Sequence, residues 1–419
     1  MRVALDAIFK RFISVGRLTL RWPDGRVSEY VGQPGPHAAM TLKDWAAVRG
    51  LVLHPYLAPG EAYMDGTLVP DDCSIYEVID LLLTNVAGNR AGHPFLAPWD
   101  WLRAFKRRFD QYNPAPRAEA NVAHHYDLNG RLYSLFLDRD RQYSCAYFPR
   151  GDETLEEAQA AKKRHIAAKL CLTRPDLTVL DIGCGWGGLA LTLAREHGAR
   201  VTGITLSREQ LGEARARAEQ EGLSDRVTFE LLDYRTLDRS FDRIVSVGMF
   251  EHVGVNHFRA FFDQVARCLN PDGVALLHAI GRGNGPGGTN PWIAKYIFPG
   301  GYAPALSEVL VPLEKSGLLV TDIEILRLHY AETLRHWRWR FAANRDAIAA
   351  LYDDRFCRMF EFYLAGAEIS FRREHQMVFQ IQMAHEPTAA PLTRDYIALN
   401  EQPDAVRPRS PVLTRYNER

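Results

Sequence analysis

The chain of 419 residues lacks most of the marks that would place it in a special class. No stretch approaches the roughly 18 consecutive apolar residues of a membrane span. No C-x-x-C pair occurs. The six cysteines (Cys73, Cys145, Cys171, Cys184, Cys268 and Cys357) are scattered, which fits free thiols in a reducing compartment rather than a disulfide framework. Charge of one sign is not in excess, since 51 basic residues face 51 acidic ones. No global field draws the chain to nucleic acid, none is expected as a partner, and membrane contact must come from local patches. Internal repeats and low-complexity tracts are also missing. The N-terminus, Met1 to Arg11, carries charges where a secretory signal needs an apolar centre, so a cytoplasmic location is expected. The length leaves room for two domains and ample core.

What is there begins with Leu177 to Ala190, where an apolar β-branched run ends in Asp181, followed by Gly183, Gly185 and Gly187 and a helix-forming stretch. This reads as strand, tight turn and helix start. The glycines let backbone N–H groups approach a ligand, and a helix N-terminus favours carboxylate or phosphate. Gly183, Gly185 and Gly188 also satisfy G-x-G-x-x-G, so a dinucleotide site competes. That motif requires an acid at the end of the next strand for the ribose. The next strand instead ends in Thr205-Leu206-Ser207, and the acid lies before the glycines. An Asp-x-Gly-x-Gly-x-Gly turn is the usual loop of S-adenosylmethionine methyltransferases, with Asp181 placed to accept from a ribose or an amino group.

From Leu177 onward, strands are expected at Thr178–Ile182, Arg200–Ile204, Val227–Leu231, Arg243–Val247, Val274–Ile280, Val320–Leu326 and Met377–Met383, with helices between them at Arg208–Glu221 and Phe258–Leu269. Such alternation predicts a parallel sheet covered on both faces. The fold class is therefore α/β: a Rossmann-like class I methyltransferase sheet with a smaller N-terminal α+β domain. Residues 1–90 form the front domain, with a hairpin over Arg17 to Val31 and helices over Leu42–Gly50 and Ser74–Asn85. Residues 91–117 are a linker, in which Trp99 to Phe109 alternates aromatic and basic residues at helical spacing. That helix either lies on an anionic membrane or packs its aromatic stripe on the core. Residues 118–390 are the catalytic domain and 391–419 a polar tail.

Ligands of open α/β sheets bind at the strands' carboxyl ends. Tyr234 and Arg235 follow the third strand, Glu251 the fourth, and His278 ends the fifth. A Glu and a His at adjacent strand ends serve as acid–base groups or anion ligands, although His278 also suits a satisfied core position. Cys184, inside the glycine turn, reads as a small packing residue.

Six ordered segments carry a resemblance: Tyr143 to Phe148, Asp181 to Gly187, Gly203 to Ser207, Phe250 to Gly254, Ile297 to Gly301, and His329 to Leu334. Together they resemble the cyclopropane-fatty-acyl-phospholipid synthases and the mycolic-acid cyclopropane synthases over roughly Asn121 to Ala384. Gly60 to Gly66 extends the likeness into the front domain of the phospholipid-acting branch. The resemblance implies methyl transfer from S-adenosylmethionine to a cis double bond of a membrane phospholipid acyl chain, proton loss and ring closure. It implies a bicarbonate ion as proton acceptor, held by Cys145, Glu251, His278, the backbone of Ile280, and Tyr330. It implies cofactor contacts at Tyr143, Ser144, Asp181, Gly183, Gly185, Gly187, Thr205, Leu206, Gln210, Tyr234 and Arg235. It implies a homodimer docked peripherally on the inner face of the membrane.

An isolated alkene has no proton for a base to remove first, so the site must align it with the methyl donor and keep water away. Tyr296, Phe298 and Tyr302 are candidates to stabilise a cation with their ring faces, against ordinary packing. One departure from the family is Ala367, which stands where a late-helix cysteine often sits; Cys357 is too far upstream to replace it. Arg335 to Arg340 is a second basic aromatic segment, facing either lipid headgroups or the acyl tunnel. Two other chemistries share this sheet: a C-methyltransferase leaving a methyl or methylene branch on the same alkenes, and a small-amine N-methyltransferase. A non-catalytic lipid- or cofactor-binding regulator would have no use for the proton-accepting cluster.

Overall fold

A computed structural model describes residues 1–87 and 130–401, with Leu96 and Trp99 between them. The basic aromatic segment Trp99 to Phe109 and the tail from Pro403 fall almost wholly outside the described residues.

The front region opens with α1 (Arg2–Phe12), then β1 (Val15–Arg21), β2 (Val27–Val31) and β3 (Gln33–Leu42). Helices α2 (Trp45–Leu53) and α3 (Ala58–Met64), strand β4 (Leu68–Pro70) and helix α4 (Ile75–Ala87) complete it. β1 alternates as a half-buried strand should: Leu18 and Leu20 point inward, Arg17 and Arg21 outward. The hairpin of β1 and β2 forms, and the four strands order as β2-β1-β3-β4. The helix expected from Leu42 starts at Trp45, because Leu42 is still paired in β3 and the Asp44 side chain caps the Ala47 N–H.

After α5 (Gly130–Phe136) and α6 (Leu155–Lys169) comes the large sheet. Its elements run β5 (Thr178–Ile182), α7 (Gly188–His197), β6 (Arg200–Thr205), α8 (Arg208–Gln220), β7 (Val227–Leu231), β8 (Phe241–Val247), α9 (Phe258–Cys268), β9 (Leu269–Arg282), α10 (Pro291–Tyr296), α11 (Leu306–Glu314) and β10 (Leu319–Ile325). Helices α12 (His329–Ala343), α13 (Arg345–Leu351) and α14 (Asp354–Arg373) lead to β11 (Gln376–Ala384) and α15 (Asp395–Asn400). The strand order is β10-β11-β9-β8-β5-β6-β7.

The expectation of a wholly parallel sheet is corrected at one strand. β11 pairs antiparallel with both β9 and β10. Its first residue, Gln376, lies opposite Arg282, the last residue of β9. Helices α12 to α14 therefore keep the chain at the carboxyl edge of the sheet, and the strand that follows them has to run back. Those helices roof the edge where ligands bind.

The roof also holds the front region. Ala365 and Ile369 of α14 belong to the front core, beside Leu18, Met40 and Leu81, while Phe360 and Leu364 belong to the aromatic core above the sheet. Asp80 pairs with Arg373, Asp65 with Arg355, and the Tyr63 hydroxyl donates to Glu361. Glu61 takes both Lys295 and the Tyr296 hydroxyl at 2.7 Å. Gly60 of α3 presses on α10: a Cβ there would stand 2.3 Å from Trp292 Nε1. Among the described residues, no helix is long and apolar enough to cross a membrane.

Candidate active site

The main cleft opens at the carboxyl ends of β5, β6, β7 and β8. Its floor is the glycine turn. Gly183, Gly185 and Gly187 all take positive φ (81°, 55° and 82°), a region L side chains avoid. A Cβ on Gly187 would meet Phe229 at 2.5 Å, whereas one on Gly185 would meet nothing within 4 Å. The first glycine face is packed and the second is open to a ligand. Tyr143, Ser144, Asp181, Thr205, Leu206, Gln210, Tyr234 and Arg235 line the same cleft. The Thr205 hydroxyl bridges Gln210 Oε1 and the Ser207 N–H, and Ser207 caps α8, so this rim is built from one hydrogen-bonded turn. Arg235 is locked to Asp233, and Tyr234 stands edge-on to Phe261.

Asp181 is buried, its Oδ2 has no hydrogen-bond partner, and burial pushes its carboxyl up to about 7. An unmatched buried acceptor in a lined cleft fits a ligand that brings donors. The ammonium and ribose hydroxyls of S-adenosylmethionine do so.

A second group of buried polar residues lies one strand further. Glu251 sits in the short turn after β8, and its Oε1 accepts from the Ile280 N–H at 2.6 Å. Its Oε2 is buried without a partner. Desolvation raises this carboxyl to about 7, with the Ile280 N–H pulling the other way. His278 is on the same face of β9 as Ile280, two residues back. Burial holds its imidazole well below the usual range, so it is neutral. Gln380, in register on β11, pairs with His278 Nδ1 at 3.1 Å, and its own Oε1 is buried and unmatched. Ile280 packs against the aromatic core to which Cys145 and Tyr330 belong, and its N–H reaches Glu251. The Ile280 N–H is engaged by Glu251, which it orients. The Cys145 thiol donates to the Ala146 carbonyl and is driven far up in pKa by burial; it is no base.

Of the proposed cation-stabilising rings, Phe298 packs edge-on to Tyr363 in the aromatic core, and the Tyr363 hydroxyl meets that of Tyr143 at 3.1 Å. Tyr296 packs at the border of this core, with its hydroxyl spent on Glu61. Tyr302 is a correction: it lies in the other core, and its hydroxyl bonds Glu308 at 2.6 Å, because its backbone, not its ring, meets Glu251. Ala367 packs at the margin of the aromatic core, and Cys357 is buried elsewhere on α14. Within Arg335 to Arg340, Trp337 is fully buried, Arg338 is bound to Glu368 and Arg340 to Glu156. Arg335 is paired with Glu332 and stacks on the exposed Trp339.

Sequence reasoning missed α6. Its string of Glu, Gln, Lys, Arg and His reads as a solvated helix, yet Gln159, Lys162, Lys163, His165 and Lys169 are all buried. Gln159 donates to the carbonyls of Gln142 and Ser144, and His165 stacks on Tyr147 with ring centres 4.3 Å apart. The segment Gln142 to Tyr147 is thus braced from below by polar groups. Helical spacing of Gln159, Lys162 and Lys169 with Ile166 was the only available signal. His252, beside Glu251 and also lining the cleft, was passed over too; burial lowers it to about 4.

Comparison with known proteins matches residues 114–381 to the family described as mycolic acid cyclopropane synthetase. The chain is 41% identical over 325 residues to the cyclopropane-fatty-acyl-phospholipid synthase of Escherichia coli K12, covering 78% of this chain and 82% of that one. It is 34% identical over 390 residues to the tuberculostearic acid methyltransferase UfaA1 of Mycobacterium tuberculosis, covering 88% of each. Among solved structures, the mycolic acid cyclopropane synthase CmaA1 complexed with SAH and CTAB matches with a TM-score of 0.60 and 34% identity, over 65% of this chain and 99% of that one.

Proposed function

Starting from the chain's membership of the mycolic acid cyclopropane synthetase family, as an S-adenosylmethionine-dependent methyltransferase, we propose that it converts cis double bonds in phospholipid acyl chains into cyclopropane rings. The observation that carries this reading is the buried Glu251 carboxylate, half unmatched, beside neutral His278 and Gln380 under an aromatic roof.

S-adenosylmethionine supplies an electrophilic methyl. The protein's part is alignment, dryness and a base. The glycine turn, Asp181 and the Thr205–Gln210 rim hold the nucleoside and amino-acid ends. In this reading Tyr143, Tyr363, Tyr330 and Phe298, which share one aromatic core, exclude water that would trap a cation as an alcohol and offer ring faces worth about 0.5 to 2 kcal/mol each. Ring closure requires a proton to leave the transferred methyl. Glu251, poised near neutrality, accepts it directly or through a bicarbonate ion, which would supply a small base. A bicarbonate fits the donors and acceptors present: the His278 imidazole, the Tyr330 hydroxyl and the free edge of Glu251. The aromatic roof and the exposed Trp339 stacked on Arg335 support acyl chains entering from a membrane surface. A homodimer at the inner face of the membrane completes the proposal.

The test is incubation with vesicles of defined monounsaturated phospholipids and labelled S-adenosylmethionine. A gain of one methylene per alkene with cyclopropyl protons in the nuclear magnetic resonance spectrum is expected. No methylene gain overturns the substrate class. The two-domain match to a tuberculostearic acid methyltransferase favours a second reading, a methyl branch on the same alkene; a gain without cyclopropyl protons selects it. Rigorous removal of bicarbonate should slow turnover severely, and an unchanged rate assigns the base to Glu251 alone. Flotation with vesicles and sedimentation test docking and dimerisation.

A further inference from the structure

One buried cation is used by nothing described so far. Lys162 on α6 is 1% exposed. Its Nζ donates to Gln142 Oε1 at 2.7 Å and to Ser144 Oγ at 2.9 Å, both neutral oxygens. No carboxylate among the described residues stands within ion-pair distance of it, unlike its neighbours Lys163, held by Asp140, and Lys169, held by Glu324. Burying an ammonium on neutral acceptors is costly, and such a group is retained where its charge has a use. Lys162 does not line the cleft, but both of its partners do.

The direction of these bonds matters. An ammonium has only donors, so Ser144 Oγ must accept from it. The hydroxyl's own proton is then turned elsewhere, and Ser144 becomes a fixed donor at the cleft wall, polarised by the charge behind it. Gln142 is fixed in the same way: its oxygen faces Lys162 and its Nε2 donates to Asp140 at 3.1 Å. In the same cleft Asp181 presents its unmatched Oδ2. An unmatched carboxyl oxygen and a cation-backed donor in one cleft make a counterpart for a zwitterion.

We propose that Lys162 is a positioning residue for the amino-acid end of S-adenosylmethionine: it sets Ser144 as donor to the α-carboxylate, while Asp181 accepts from the α-ammonium. The proposal rests on the methyltransferase reading and leaves the lipid product open, so it can fail while that reading stands.

The experiment is calorimetric titration of the full chain with S-adenosylhomocysteine and with 5′-methylthioadenosine, which keeps the adenosine and thioether and lacks the amino acid. Lys162→Met should weaken S-adenosylhomocysteine about 30-fold, within the range of a charge-assisted hydrogen bond, and 5′-methylthioadenosine less than about 3-fold. Ser144→Ala should lose affinity for the first ligand only. The double variant should bind no more than about 2-fold more weakly than Lys162→Met, because the lysine acts through the serine. Equal losses for both ligands, no loss for either, or additive losses in the double variant overturn the proposal. If Lys162→Met does not fold, Lys162→Gln, which keeps a donor without the charge, is measured with the same criteria.

Discussion

The two ends of the site solve different problems with buried polar groups. At the cofactor end, most side chains are matched to one another: Thr205 to Gln210, Arg235 to Asp233, Ser144 to Lys162, with the buried Oδ2 of Asp181 the exception. Such groups hold a shape. At the reacting end, Glu251 and Gln380 each keep one buried oxygen unmatched, and Glu251 is pushed to about 7. Unmatched groups weaken the fold and are ready for chemistry. The two ends differ in how many of their groups are matched, and Asp181 shows that an unmatched oxygen can also await a ligand.

The sharpest break in that comparison is Glu251→Gln. It should lower kcat about 10³-fold, the scale of general-base loss, with the affinity for S-adenosylhomocysteine within about 3-fold. Parallel loss of both would place Glu251 among the binding groups. Gln380→Leu removes the partner that orients the His278 ring; a fall of about 10- to 100-fold in kcat at unchanged cofactor affinity is expected. At the other end, Gly187→Ala drives a Cβ into Phe229 at a φ of 82°. It should weaken S-adenosylhomocysteine at least about 10-fold and cost about 1 to 3 kcal/mol of stability by denaturant titration.

A subtler effect concerns pH. The Glu251 carboxyl titrates near 7 when folded and near 4.5 when unfolded. Between those values the folded chain holds the extra proton, so this group costs stability as pH rises through that window. Glu251→Gln should therefore stabilise the ligand-free protein by about 1 to 3 kcal/mol at pH 8, with the gain vanishing near pH 4.5. A variant that is less stable at pH 8 would mean Glu251 is matched after all. Smallest of all, Ala367→Cys should change kcat by less than about 2-fold, since Ala367 lies at the margin of the aromatic core.

Legibility in the sequence follows the range of the interactions. The glycine turn, the strand ends at Glu251 and His278 and the positions of the parallel strands along the chain were readable, because each is a local rule: positive φ, period two, a ligand at the carboxyl edge. The antiparallel course of β11 was not, since it depends on where three helices leave the chain. Nor was α6, whose charges are satisfied by residues such as Ser144 and Glu324 on other elements. The clamp of the Ile280 N–H on Glu251 was not legible either, being a pairing across 29 positions. Tyr302 failed for a related reason: adjacency of its backbone to Glu251 says nothing about its ring.

One helix gives the molecule a shared fate. α14 lends Ala365 and Ile369 to one interior and Phe360 and Leu364 to the other. Melting either interior strips that helix of half its cover, and its ion pairs to Asp80 and Asp65 go with it. Heating in a differential scanning calorimeter should accordingly yield a single endotherm, so that damage anywhere in the amino-terminal quarter is felt as lost heat tolerance of the whole enzyme.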